Sequence, residues 1–227
     1  MPRLHLAAAV AVACLLLAAP AQAARFAPRV SATVTDHRVG QGEHPSLAVT
    51  IRQRRGEPPL RTVALLLSRD VRPTTATLKR TCSIERRRAG TCPRRARLGS
   101  ATAVSSALPT TLRGPVILAE PETPPEGQLG IGLPDLLVQL RGGGASLQLV
   151  AEQRYGATGR LRTLFRGLPP VPVQRFTLRF RALRDGPLVN PRGLCGHRRQ
   201  RLDVRLTAQD GRTVRRKPHL RVPACRR

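Results

Sequence analysis

Tryptophan is absent from this 227-residue chain, tyrosine occurs once, at Tyr155, and phenylalanine four times. Surfaces that bind single-stranded nucleic acid stack bases on aromatics interleaved with cations, so this shortage weighs against a dedicated nucleic-acid partner. Acidic residues are scarce too. Thirteen Asp and Glu stand against 40 Lys and Arg, giving a formal net charge of +27. Lysine is nearly missing from that excess, with only Lys79 and Lys217. Arginine in place of lysine, with abundant Ala, Gly, Pro and Leu, is what a high-GC genome writes through its codons. Whatever its origin, a field of this size attracts polyanions, although phosphate attraction alone reads no base sequence.

Catalytic signatures are missing as well. The chain has no Gly-x-Ser-x-Gly, no His-Glu-x-x-His and no Gly-x-x-x-x-Gly-Lys-Ser/Thr, which removes the common hydrolase, metalloprotease and nucleotide-binding patterns. No catalytic residue, metal ligand or cofactor is assigned. His37, His44, His197 and His219 occur singly in turn-like or outward positions. Asp36-His37 and Glu43-His44 are sequence neighbours, but neighbours on an extended chain point to opposite faces, so these histidines read as surface residues. Gly142-Gly143-Gly144 opens no helix and reads as a hairpin loop. No window after the first residues approaches the roughly 20 apolar residues of a spanning helix, so no membrane span is expected.

What is present begins with an export signal. Arg3 precedes an apolar run from Leu6 to Ala19, and Ala21-Gln22-Ala23 offers small residues for cleavage before Ala24, the three parts of a signal peptide. Cys14 follows Ala11-Val12-Ala13 and offers an alternative lipidation site, but Leu15-Leu16-Leu17 continues the apolar run past it. Export implies a secreted, extracellular or cell-envelope location. It places Cys82, Cys92, Cys195 and Cys225 in an oxidising compartment, where an even count reads as a disulfide framework. Three pairings are possible. Local pairing, Cys82 with Cys92 and Cys195 with Cys225, closes one short loop and ties the final hairpin to the loop it starts from. A zinc site with His197 lacks the close Cys-x-x-Cys spacing of structural zinc.

The rest reads as strands. In 175–182, Phe176, Leu178, Phe180 and Ala182 share one face and Arg175, Thr177, Arg179 and Arg181 the other. Similar alternation covers 30–39, 47–53, 62–68, 97–104, 112–119, 128–133, 136–141, 145–153, 160–165, 201–207 and 213–222, with Gly/Pro turns between. Only 73–80 suggests a helical turn. About a dozen short strands predict an all-β, antiparallel β-sandwich. After a signal peptide at 1–23, residues 24–79 form a smaller N-terminal β layer, for which an immunoglobulin-like unit is one option. Residues 80–227 form a disulfide-framed sandwich unit.

Register sharpens the last hairpin. Leu202, Val204 and Leu206 are even-numbered, as are Val214, Leu220 and Val222, so an odd loop is required to put both sets on one face. Gln209-Asp210-Gly211 meets this need, with Gly211 left-handed at a bulge. The outer face then carries Arg201, Asp203 and Arg205 on one strand and Arg215, Lys217, His219 and Arg221 on the other. Its simpler reading is a solvated edge that resists aggregation. The alternative is an anion-binding face of Arg201, Arg205, Arg215, Lys217 and Arg221.

Several stretches in this order carry a resemblance: His44-Pro45-Ser46-Leu47, Val63-Ala64-Leu65-Leu66-Leu67, Cys82 with Cys92-Pro93, and Leu112-Arg113-Gly114-Pro115-Val116-Ile117-Leu118. Leu168-Pro169-Pro170-Val171-Pro172, Leu188-Val189-Asn190-Pro191 with Leu194-Cys195, and Pro223-Ala224-Cys225 continue it. Over almost the whole mature length the chain resembles a group of uncharacterised, exported β-rich proteins abundant in high-GC actinobacteria. The resemblance implies the two local disulfides and an envelope or extracellular location, and it carries over no functional residue. The leading expectation is a non-enzymatic secreted or envelope-associated protein with a structural or interaction role. A second is a binding module whose arginine surface holds anionic cell-envelope polymers or lipids. A hydrolase of envelope polysaccharide is third.

Overall fold

In the computed structural model, which describes residues 25–122, 133–156, 158–182, 186–195 and 200–225, the period-two alternation becomes strand after strand. The signal segment 1–23 with Cys14, His197, and all but the last residue of the strand expected at 128–133 lie outside the described residues. The chain opens with β1 (Arg29–Val34), β2 (Leu47–Arg52), β3 (Leu60–Leu66) and the short β4 (Arg72–Pro73). Two brief helices follow, α1 (Thr75–Leu78), inside the expected 73–80, and α2 (Ile84–Arg88), which falls where a plain loop was expected. Next come β5 (Arg97–Ser105), β6 (Leu112–Ala119), β7 (Asp135–Gly142), β8 (Ala145–Tyr155), β9 (Leu161–Phe165) and β10 (Val173–Phe180). β11 (Leu188–Val189), β12 (Asp203–Ala208), β13 (Thr213–Arg216) and β14 (Leu220–Arg221) complete the set.

These strands do not divide into the two packed layers of the expected sandwich. Twelve of them form one sheet in the order β13-β12-β3-β9-β8-β7-β6-β5-β10-β2-β1-β14, with β4 and β11 paired separately. β1, β2 and β3, the sheet strands before residue 80, are interleaved with later ones: β2 lies against β10, and β3 lies between β9 and β12. Nor is the sheet purely antiparallel, because β14 runs parallel to β1 through Ala32↔Leu220 and Thr33↔Arg221. The cause is parity: ten antiparallel pairings separate β13 from β1, so the two run in the same direction, and the strand that continues β13 past Lys217-Pro218 must meet β1 in parallel. Before Lys217 β13 pairs with β12; after Pro218 His219 still bridges Arg201 while Leu220 already faces Ala32. One segment, 213–221, thus borders both ends of the strand order, and the sheet curls round to meet itself.

Curling needs places where backbones crowd. A side chain at Gly99 would collide with the Arg179 carbonyl oxygen, and one at Gly114 with that of Gln139. Register shifts at Arg97/Gly99 and Val173/Arg175 add bulges that tighten the coil. The inward face is apolar: Val49, Ile51, Val63, Leu65, Val116, Leu118, Val138, Phe165, Leu178 and Leu206 are all buried in one cluster. Each contributes roughly 1.5–3 kcal/mol. Voids of about 60 and 40 Å³ remain inside, both well short of the roughly 150 Å³ apolar cavity that takes up benzene. Around these two voids the described side chains pack as core.

The outward face is polar, with Arg52, Arg175, Arg179 and Arg205 exposed, the reverse of the apolar exterior of a bilayer-spanning barrel. It carries an apolar patch on β6 and β7. Ile117, Ala119 and Leu137 point outward from β6 and β7 and are buried with Cys82 and Ala96. The segment that covers them is closed by the Cys82–Cys92 disulfide. The second bond joins Cys195 to Cys225, so both local pairings are formed. The final hairpin has the odd loop and the register that the sequence requires: Val204 faces Arg216, Leu206 faces Val214, and Gly211 has φ 87°. Gly143 and Gly144, with φ 55° and 77°, make the two-residue turn between β7 and β8.

Candidate functional site

β3 presents Ala64 and Leu66 to the outside. Register sets Arg162 of β9 and Asp203 of β12 on either side of Leu66, and Arg205 of β12 beside Ala64. β13 adds Arg215 directly opposite Arg205, and Lys217 follows on the same face. Because Ala64 is small, the surface dips there. The result is an outward concavity of about 510 Å³, floored by Ala64 and Leu66, with Arg162 on one rim and Arg205, Arg215 and Lys217 on the other.

Its electrostatics are one-sided. The single acid in the lining, Asp203, is engaged: its Oδ2 accepts from Arg160 Nη1 at 2.7 Å, while Arg160 Nε donates to the Leu67 carbonyl at 2.7 Å. Arg216 anchors the wall, its Nε donating to the Pro28 carbonyl at 2.9 Å. Among the described residues no ion pair is made by Arg162, Arg205, Arg215 or Lys217. Like charges directly opposite on neighbouring strands destabilise a sheet by roughly 0.2–1 kcal/mol, and Arg205 and Arg215 are such a pair. An anion lying between them turns that repulsion into charge-assisted hydrogen bonding.

Of the five cations singled out from the sequence, Arg205, Arg215 and Lys217 meet in this concavity. Arg201 and Arg221 do not line it: Arg201 sits across from His219, and Arg221 across from Thr33 of β1. Arg162 was missed, since its place beside β3 depends on a pairing between segments about a hundred residues apart. His219 is exposed as expected, but His44 is half-buried, with Nδ1 2.9 Å from the Leu188 carbonyl where β11 packs over it. The neighbouring carboxylates serve the backbone instead: Asp36 Oδ2 accepts from Ser46 N at 3.0 Å, and Glu43 Oε2 from Gly40 N at 2.6 Å.

Another group of acids lies beside the covered patch. Asp135 opens β7 near Arg87, Glu122 and Glu152, and its pKa is raised to about 6, mainly by burial, with Arg87 opposing and the two glutamates adding to the rise. Arg87, buried on α2, lies 3.4 Å from Glu122. Among the described residues no helix is long and apolar enough to cross a membrane. Compared with known proteins, the chain matches no family model and no curated sequence.

Proposed function

We propose that this protein is an exported, non-enzymatic binding module that holds anionic polymers of the cell envelope in the concavity of β9, β3, β12 and β13. The observation that carries this reading is the grouping of Arg162, Arg205, Arg215 and Lys217 around a floor of Ala64 and Leu66, with the one lining acid already held by Arg160. Guanidinium forks recognise phosphate and carboxylate groups bidentately, and four cations at one dip give a polyanion a place to settle. The signal-peptide pattern and the two disulfides support an exported setting.

The test is titration of the full mature chain with heparin at about 50 mM salt, where screening reaches roughly 14 Å or less. The double reversal Arg205→Glu with Arg215→Glu is expected to weaken binding by about a hundredfold, equivalent to about 2.8 kcal/mol, and to flatten the salt dependence. Unchanged affinity in a variant that melts like the parent sinks the proposal, as does failure of the parent to bind.

A further inference from the structure

A second basic surface lies on the outward faces of β6, β5, β10, β2 and β1, on different strands from those of the concavity and bordering segment 213–221 at its β1 end. It has a regular grain. Thr102, Thr177, Thr50 and Ser31 stand side by side across four adjacent strands, and Thr50 Oγ1 lies 3.1 Å from Thr177 Oγ1. The neighbouring outward row, two residues along, is Arg175, Arg52 and Arg29 on three consecutive strands. All three are exposed, and none is in an ion pair among the described residues. On the other side of the hydroxyl row, Arg179 of β10 flanks it as well, and Arg113 of β6 extends it at its β5 end. The strands are about 4.8 Å apart, so the row Arg29, Arg52, Arg175 sets three like charges within roughly 10 Å. Each facing pair costs stability while no anion is present.

We infer that this face docks a polymer of polyol units joined by phosphodiesters, a partner class that the binding-module reading above, on which this inference rests, leaves open. Charge complementarity selects the phosphates: arginine forks in a row take successive phosphate groups bidentately. The hydroxyl row selects what lies between the phosphates. Threonine and serine both donate and accept, which suits the hydroxyls of a polyol or sugar. No aromatic side chain occupies these rows, so bases would find nothing to stack on.

The experiment compares three probes on the full mature chain at about 0.15 M salt: oligo(glycerol phosphate), inorganic polyphosphate of equal charge, and a single-stranded oligonucleotide of equal charge. Oligo(glycerol phosphate) is expected to bind about tenfold more tightly than the other two. Arg52→Ala with Arg175→Ala is expected to weaken it about tenfold or more. Thr50→Val with Thr177→Val, which keeps the side-chain shape, is expected to erase the preference over polyphosphate while leaving polyphosphate binding intact. Equal affinities for the three probes, or no response to either pair of variants at unchanged melting temperature, overturns the inference. If only Arg205→Glu with Arg215→Glu abolishes binding, this face is not used and the concavity stands alone. Loss of binding in the face variants together with an unaffected reversal variant keeps this inference and removes the concavity from the function.

Discussion

On β6 and β7 the outward residues Ile117, Ala119 and Leu137 are apolar and buried, whereas on β3, β12 and β13 the outward residues include Ala64, Leu66 and the solvent-exposed cations Arg205 and Arg215. The first patch is finished by the chain itself, with a disulfide-closed segment laid over it and the buried Arg87 beside Glu122 and Asp135. The second has no such cover and one acid, already spoken for by Arg160. The difference separates a surface that the chain covers itself from one on which its cations stand bare, the surface that the proposed function uses. Where the sheet is covered from within, the chain places apolar groups and counter-ions; where it leaves cations bare, the proposed function has an outside anion supply the missing charge.

The largest effect expected of this contrast is in stability. Leu137→Ala should cost roughly 2–5 kcal/mol, because it opens a cavity in the covered patch, while Leu66→Ala, outward in the bare patch, should cost under about 1 kcal/mol. Urea unfolding of both variants measures the gap, and equal losses would erase the distinction. Removing the cover's clasp with Cys82→Ala and Cys92→Ala should cost about 3 kcal/mol through the freed unfolded chain. Oligo(glycerol phosphate) and heparin binding should survive in the fraction that remains folded. A parallel loss of binding would show that the two patches act as one.

Asp135 provides the smallest and most specific test. Its pKa is higher folded than unfolded, so the folded state holds its proton more tightly and this group's contribution falls as pH rises from about 4 to 6. Asp135→Asn should therefore stabilise the protein at pH 7, by on the order of 1 kcal/mol once solvent screening of this half-buried group is allowed for. The gain should fade by pH 4, where the parent carboxyl is protonated when folded. Thermal melts at the two pH values decide it; the same gain at both would place the cause in packing rather than charge.

The sequence made the local features legible. Alternation located most of the long strands, the parity of Val204, Leu206 and Val214 fixed the hairpin loop, and cysteine spacing favoured both bonds that form. α2 was readable but unread: Ser83 caps it by accepting from Arg86 N at 3.4 Å, and Gly90 stops it with φ 69°. Closure and the concavity were beyond local reading. A two-layer packing and a curled single sheet demand the same alternation along each strand, and only long-range partners such as Ala64 with Arg205 tell them apart. The polarity of Arg162 was plain, but its neighbours were not.

The meeting of the sheet's two ends in residues 213–221 also dictates an order of events in synthesis. Arg216 Nε grips the Pro28 carbonyl across 188 residues of chain, and Leu220 meets Ala32 only after every other strand has been made. Contacts so distant in sequence are slow to form. Until residues 213–225 emerge, a nascent chain carries two open strand edges, the hazard that invites wrong pairing with a neighbour. Its dense positive charge keeps such neighbours apart during that interval. A chain truncated before β13 keeps both edges, because segment 213–221 is what joins β12 to β1.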